Sequence, residues 1–191
     1  DLAAYVDGHR SMLILGAWLT FPASAFYLWF IVGLRAFLRQ VPGRDEGLPT
    51  YALVAGLATA VITVMGAIFQ TVLGFEGSIT LGAQGLPVMY GAAALSGAVL
   101  FGPLAVFLLA CAMSMRIHHS APRWLAWLGY VAFIGSAISS LTVFFSRGPM
   151  APGGIVSILV GLLLFALWVI ATSIVLIRNA GRAAPGARIT R

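Results

Sequence analysis

Residues 50–75 read TYALVAGLATAVITVMGAIFQTVLGF, a stretch without one charged side chain, and its reading decides the fold. A bilayer core about 30 Å thick needs roughly 20 apolar residues in a helix. In hydrocarbon every backbone N–H and C=O must be bonded within the chain, so a run this long is economical only as a helix. Working outward, four more such runs appear at Ser11–Leu34, Leu86–Met115, Trp124–Ser146 and Ile155–Ile177. The expectation is an all-α, polytopic transmembrane helical bundle, one domain over residues 1–191, with a basic tail at 178–191. Short connections make consecutive helices antiparallel neighbours.

Composition agrees. The chain is 61% hydrophobic and 8% charged, whereas a soluble domain carries roughly 25% charged residues to keep its surface wet. It contains no lysine, and its net charge of +6 comes from arginines that flank the apolar runs. That placement points to a membrane surface and away from nucleic acid. One cysteine, Cys111, cannot form an intrachain disulfide and reads as a packing residue.

Cytoplasmic loops retain positive charge. Arg35, Arg39, Arg44, Arg116, Arg123, Arg178, Arg182, Arg188 and Arg191 fall on one side by parity, and Arg10 and Arg147 on the other. The first set is assigned to the cytoplasm of a bacterial inner membrane, which leaves the N-terminus outside and the C-terminus inside. The opening segment DLAAYVDGHR then reads as an outer loop or surface segment, preceded either by a removed signal peptide or, if the complete protein starts in the cytoplasm, by a sixth helix upstream of Asp1.

Small residues let membrane helices approach, and polar ones bond across. Span 50–75 carries Gly56, Ala60, Thr63, Ala67, Gln70 and Gly74 on one stripe, and span 124–146 carries Gly129, Ala132, Ser136, Ser139, Val143 and Ser146 on another. These two spans are the expected bundle interior. The last span, with GLLLFALWVI, is bulky all round and is expected to meet lipid on its broadest face. Pro22 and Pro103 each remove a helical hydrogen bond and allow a kink.

Several chemistries lack their groups. No Asp, Glu, Lys, Arg or His occupies the centre of a span, so a retinal lysine, a mid-membrane carboxylate for ion coupling and a base to activate Ser136, Ser139 or Ser140 are all missing. A phosphate loop ending in lysine cannot exist. His118 and His119 sit in the short hairpin RIHHSAPRW, and adjacent helical side chains diverge by about 100°. With His9 on the opposite side, they read as surface histidines rather than metal or haem ligands. No catalytic residue, cofactor or metal is therefore expected.

The polar residues left over gather at the outer ends: Asp7, His9, Arg10, Gln70, Glu76, Tyr90 and Arg147. They admit two readings, a shared outward pocket or ordinary pairing of Arg10 and Arg147 with Asp7, Glu76 or lipid phosphates. Gln70 stands out, because an amide in hydrocarbon seeks a partner. The uncharged, glycine-rich segment GFEGSITLGAQGLP, with Glu76 its single charge, reads as an outer loop.

The stretch SAPRWLAWLGYVAFIGS, after spans ending in arginines as in GLRAFLRQ, resembles a large set of uncharacterised bacterial integral membrane proteins grouped as a domain of unknown function. The opening YVDGHRSMLILGAWL is similar to the segment after the first helix in actinobacterial members. The resemblance implies a six-helix protein and carries over no catalytic residue.

The function expected from the sequence is a non-enzymatic accessory or scaffold subunit, embedded in lipid and bound to a membrane-protein partner or to itself. The alternative is a binding or transport protein for an uncharged, lipid-like ligand. Its candidate contact residues are Thr63, Gln70, Glu76, Tyr90, Ser136, Ser139 and Ser140. The tail RNAGRAAPGARITR is expected to lie on the anionic lipid surface.

Overall fold

The computed structural model describes residues 2–39, 47–119, 121–145, 148, 151–152, 154 and 157–183, with backbone alone for 76–79, 83, 157–158 and 180–183. Among them there is no strand. The helices are α1 (Leu2–Gly8), α2 (Arg10–Leu38), α3 (Gly47–Val99), α4 (Phe101–His118), α5 (Arg123–Ser140) and α6 (Leu163–Ala183). A 3-10 turn, Leu141–Phe144, follows α5, and a π-helical turn, Ser157–Leu162, leads into α6. Five stretches are long and apolar enough to cross a membrane: Arg10–Leu38, Gly47–Phe75, Gln84–His118, Arg123–Phe144 and Leu159–Asn179. The chain is an all-α transmembrane bundle.

Two segments read as loops are helical. In α1, Val6 is fully buried against Leu73 and Leu86, which ties the N-terminal segment to α3. Helical backbone also continues through the glycine-rich segment 74–87. A straight helix the length of α3 would reach about 80 Å, far beyond a bilayer, and α3 instead doubles back at Gly82. Gly82 has φ of +64°, a left-handed conformation that glycine adopts without a Cβ clash. A Cβ on Gly66 would sit 2.6 Å from Ser96 Oγ, so residues about equally far either side of Gly82 meet.

Pro103 accounts for the other break. Proline opposes the carbonyl four residues earlier, which is that of Val99, and α3 ends at Val99. Bonds from Leu100 N–H to the Ser96 carbonyl and from Leu104 N–H to the Leu100 carbonyl carry the chain across the joint at 3.1 and 3.2 Å.

The centre of the bundle is α4, not the spans marked by small-residue stripes. In the apolar window of Gln84–His118, 61% of residues are buried, against 33% in both Gly47–Phe75 and Arg123–Phe144. Large side chains fill this centre, with Phe107, Leu108 and Cys111 at 0% exposure. Small stripes mark where two helices touch. They do not mark which helix is surrounded. Spans 50–75 and 124–146 have few contacts with each other. The first packs on α2, where Gly56 receives Ile31 and Gly74 receives Ile14. The second packs on α4 and α6.

Around α4, edge-to-face rings join α2, α4 and α6. Tyr27 meets Phe107 at 6.1 Å and Phe165 at 6.0 Å, and Trp168 meets Phe107 at 5.8 Å and Phe30 at 6.2 Å. Such pairs prefer this geometry because the ring edge is positive and the face negative. Trp168 is fully buried, and its indole nitrogen lies where a Cβ on Gly129 would come within 3.0 Å. The opposite face of α6 turns Leu163, Leu167, Ile170, Ile174 and Ile177 outward.

Candidate functional site

The hollow that gathers sequence-marked polar residues lies between α2, the two arms of α3 and the start of α4, under α1. It encloses about 540 Å³ and is lined by Tyr5, Gln70, Leu73, Tyr90, Gly97 and Phe101, among others. Its origin is local. Gly66 and Ser96 bring the arms of α3 close at one level, and Val6, Leu73 and Leu86 close them near the Gly82 turn. Ala93 and Ala94 between these levels, and Gly97 just beyond Ser96, are too small to fill the gap. A Cβ on Gly97 would meet nothing within 4 Å.

Gln70 joins this hollow to an adjoining one of about 130 Å³, which Thr20, Thr63 and Ser96 also line. The hydroxyls of these three are bound to their own helices: Thr20 donates to the Gly16 carbonyl, Thr63 to that of Thr59 and Ser96 to that of Ala93. Backbone carbonyls thus absorb the hydroxyls, and no described residue hydrogen-bonds the Gln70 amide. Among the described residues, no charged side chain lines either hollow.

Of the sequence-marked residues, Thr63, Gln70 and Tyr90 come together here. The side chain of Glu76 lies outside the described residues, as do Arg147, Ser146 and the tail beyond Ala183. Ser136, Ser139 and Ser140 are elsewhere, at the crossing of α5 with the π turn and α6. Ser140 donates to the Ala137 carbonyl at 2.7 Å. The Oγ atoms of Ser136 and Ser139 are buried with no hydrogen-bond partner among the described residues. Here serine serves as a small residue rather than as polar glue: a Cβ on Gly161 would lie 2.6 Å from Ser139 Oγ. The expected stripe holds through Gly129, Ala132, Ser136 and Ser139. It then shifts, because the 3-10 turn is tighter than an α-helix, so Thr142 is buried while Val143 faces outward.

The described partners of Arg10 are backbone carbonyls at the end of span 50–75. Its Nε donates to the Gly74 carbonyl at 3.0 Å and one Nη to that of Phe75 at 2.6 Å, pinning the start of α2 to α3. Beside it, His9 Nδ1–H donates to the Tyr5 carbonyl at 2.8 Å and the two rings stack at 4.5 Å. That stack steadies Tyr5 at the rim. Sequence reasoning missed Tyr5, and the aromatic-to-histidine spacing of four on a helix was the signal available. No group of three or more His, Cys, Asp or Glu converges among the described residues.

Set beside protein families, characterised proteins and solved structures, the chain matches none.

Proposed function

We propose that the protein is a non-enzymatic bacterial inner-membrane protein that binds an uncharged, lipid-like molecule in the hollow between the arms of α3. The observation that carries this reading is the Gln70 amide, which no described residue bonds and which lines both hollows. Gln70 is half-buried, an amide facing apolar surroundings lacks the bonds water would give it, and a ligand hydroxyl or carbonyl would supply one. The volume suits a small ligand, the uncharged described lining suits a neutral one, and Tyr5 and Tyr90 offer further hydroxyls at the rim. The arginine distribution supports a cytoplasmic C-terminus.

The test is extraction in native lipid discs followed by mass spectrometry of the intact assembly. A discrete small molecule retained by the wild type and lost in Gln70→Leu is the expected result. Equal retention by both, or an empty wild type, would overturn it.

A second reading, an accessory or scaffold subunit bound to a membrane partner or to itself, draws on α2. Its buried positions Ala17, Ser24, Ile31 and Leu38 recur every seven residues, a narrow seam that leaves Trp18, Phe26 and Trp29 turned outward. The same discs discriminate, since this reading requires a second polypeptide, or a second copy, at fixed stoichiometry.

A further inference from the structure

The turn between α4 and α5 holds a larger hollow, about 710 Å³, at the other end of α4 from the Gln70 site. Phe101 and Arg116 mark the two ends, roughly 22 Å apart along the helix axis. Its rim carries Arg116 from the last turn of α4, His119 from the turn and Arg123 from the first residue of α5. The wall includes Met113, Met115 and Ile117.

Of these groups, Arg116 has a described side-chain contact. Arg116 lies over the Trp127 ring at 5.3 Å, and Trp127 meets Tyr130 edge-on at 5.8 Å. His119 is the only described non-glycine residue with positive φ, +50°, and this left-handed cap ends α4 and turns the chain toward α5. The first turn of α5 forms part of the lining and adds its partial positive charge.

Among the described residues none hydrogen-bonds or ion-pairs the guanidinium of Arg116 or Arg123. Both are exposed and open to a counter-ion from outside the chain. Two guanidinium groups from different helices, each a fork of donors, suit the oxygens of a phosphate. Exposed Trp124 and Trp127 at the end of a span belong at headgroup level, and the apolar wall below can take a chain attached to that phosphate.

We infer that this hollow is a phosphate-binding site, formed by Arg116 and Arg123 with His119 at the rim. Two sources share the chemistry, the headgroup of an anionic phospholipid and a soluble phosphate, and one experiment separates them. The full chain in detergent is titrated with phosphatidylglycerol, with diacylglycerol of the same chains and with inorganic phosphate, and its melting temperature is followed. Phosphatidylglycerol, inorganic phosphate or both should raise it, and diacylglycerol should not. Protection by phosphatidylglycerol alone assigns a lipid headgroup, and protection by inorganic phosphate alone assigns a soluble ligand. The paired change Arg116→Gln and Arg123→Gln should weaken the effect at least about tenfold, the scale of one lost charged hydrogen bond. Arg178→Gln, a single charge loss on α6 to set against Arg123→Gln alone, should leave it unchanged. If the pair disturbs folding, Arg123→Gln alone decides, because its side chain has no described partner in the bundle. Protection equal with diacylglycerol, absent with both phosphates, undiminished in the arginine variants, or lost as much in Arg178→Gln would overturn the site. Because the Gln70 hollow lies at the other end of α4, failure of either site leaves the other standing.

Discussion

The α5–α6 side of the bundle and the α2–α3 side use the same small residues to opposite ends. On α5, a Cβ at Gly135 would fall 2.6 Å from the Val160 carbonyl, and Gly129 receives the buried Trp168. There glycine lets backbones touch. On the second arm of α3, Gly97 has nothing within 4 Å, and small residues leave a hollow beside Gln70. The lesson is that a small-residue stripe specifies low bulk, and the facing element decides whether that becomes contact or space.

The strongest test of this contrast is Trp168→Ala. It empties the junction of α2, α4 and α6 and should cost about 2 kcal/mol or more, the packing share of the larger penalty for such truncations in water-soluble cores. Reversible unfolding in mixed micelles reads it, and a loss below about 1 kcal/mol would mean the ring cluster is not the centre of stability.

Gly135→Ala comes next. A backbone carbonyl cannot swing away as a side chain can, so the expected loss is about 1–3 kcal/mol. Gly56→Ala meets the end of the Ile31 side chain at 2.8 Å and should cost less in the same assay. If Gly56→Ala proved the costlier, the contrast between rigid and yielding neighbours would fail.

Gly82→Ala has open space around it and tests the turn alone. Left-handed φ in an alanine costs about 1–2 kcal/mol. An unchanged midpoint would show that the reversal of α3 does not depend on that conformation.

Gly97→Ala should be the mildest, neutral or stabilising by up to about 1 kcal/mol, because alanine is the better helix former and the space is open. Gly97→Leu should also fold, yet displace any molecule held beside Gln70. Retention of that molecule by Gly97→Leu would sink the proposed binding position.

Much of the site was legible from single residues. Gln70 stood out because amides are rare in apolar runs, and the spacing from Gly56 to Gly74 marked a contact face. The partners of that face were not legible. Nothing in GFEGSITLGAQGLP distinguished a loop from helical backbone reversing at one glycine, since glycine tolerates both. Ser136 and Ser139 looked like interhelical glue, but whether a hydroxyl bonds across, bonds back to its own helix or fills a narrow crossing depends on the distance to the next helix.

By itself the sequence determined an all-α bundle with five runs able to cross a bilayer among residues 1–191, because 8% charge cannot wet a surface and uncharged runs must satisfy their own backbone. Only the tertiary structure decided that α4 is central, that the reversal at Gly82 sets Gln70 across from Ala93 and Ser96, and that Arg116 and Arg123 share a hollow. The physical reason is that lipid and protein interior are equally apolar. A helix facing either carries the same side chains, so hydrophobicity sorts spans from loops but cannot sort a buried face from a lipid-facing one.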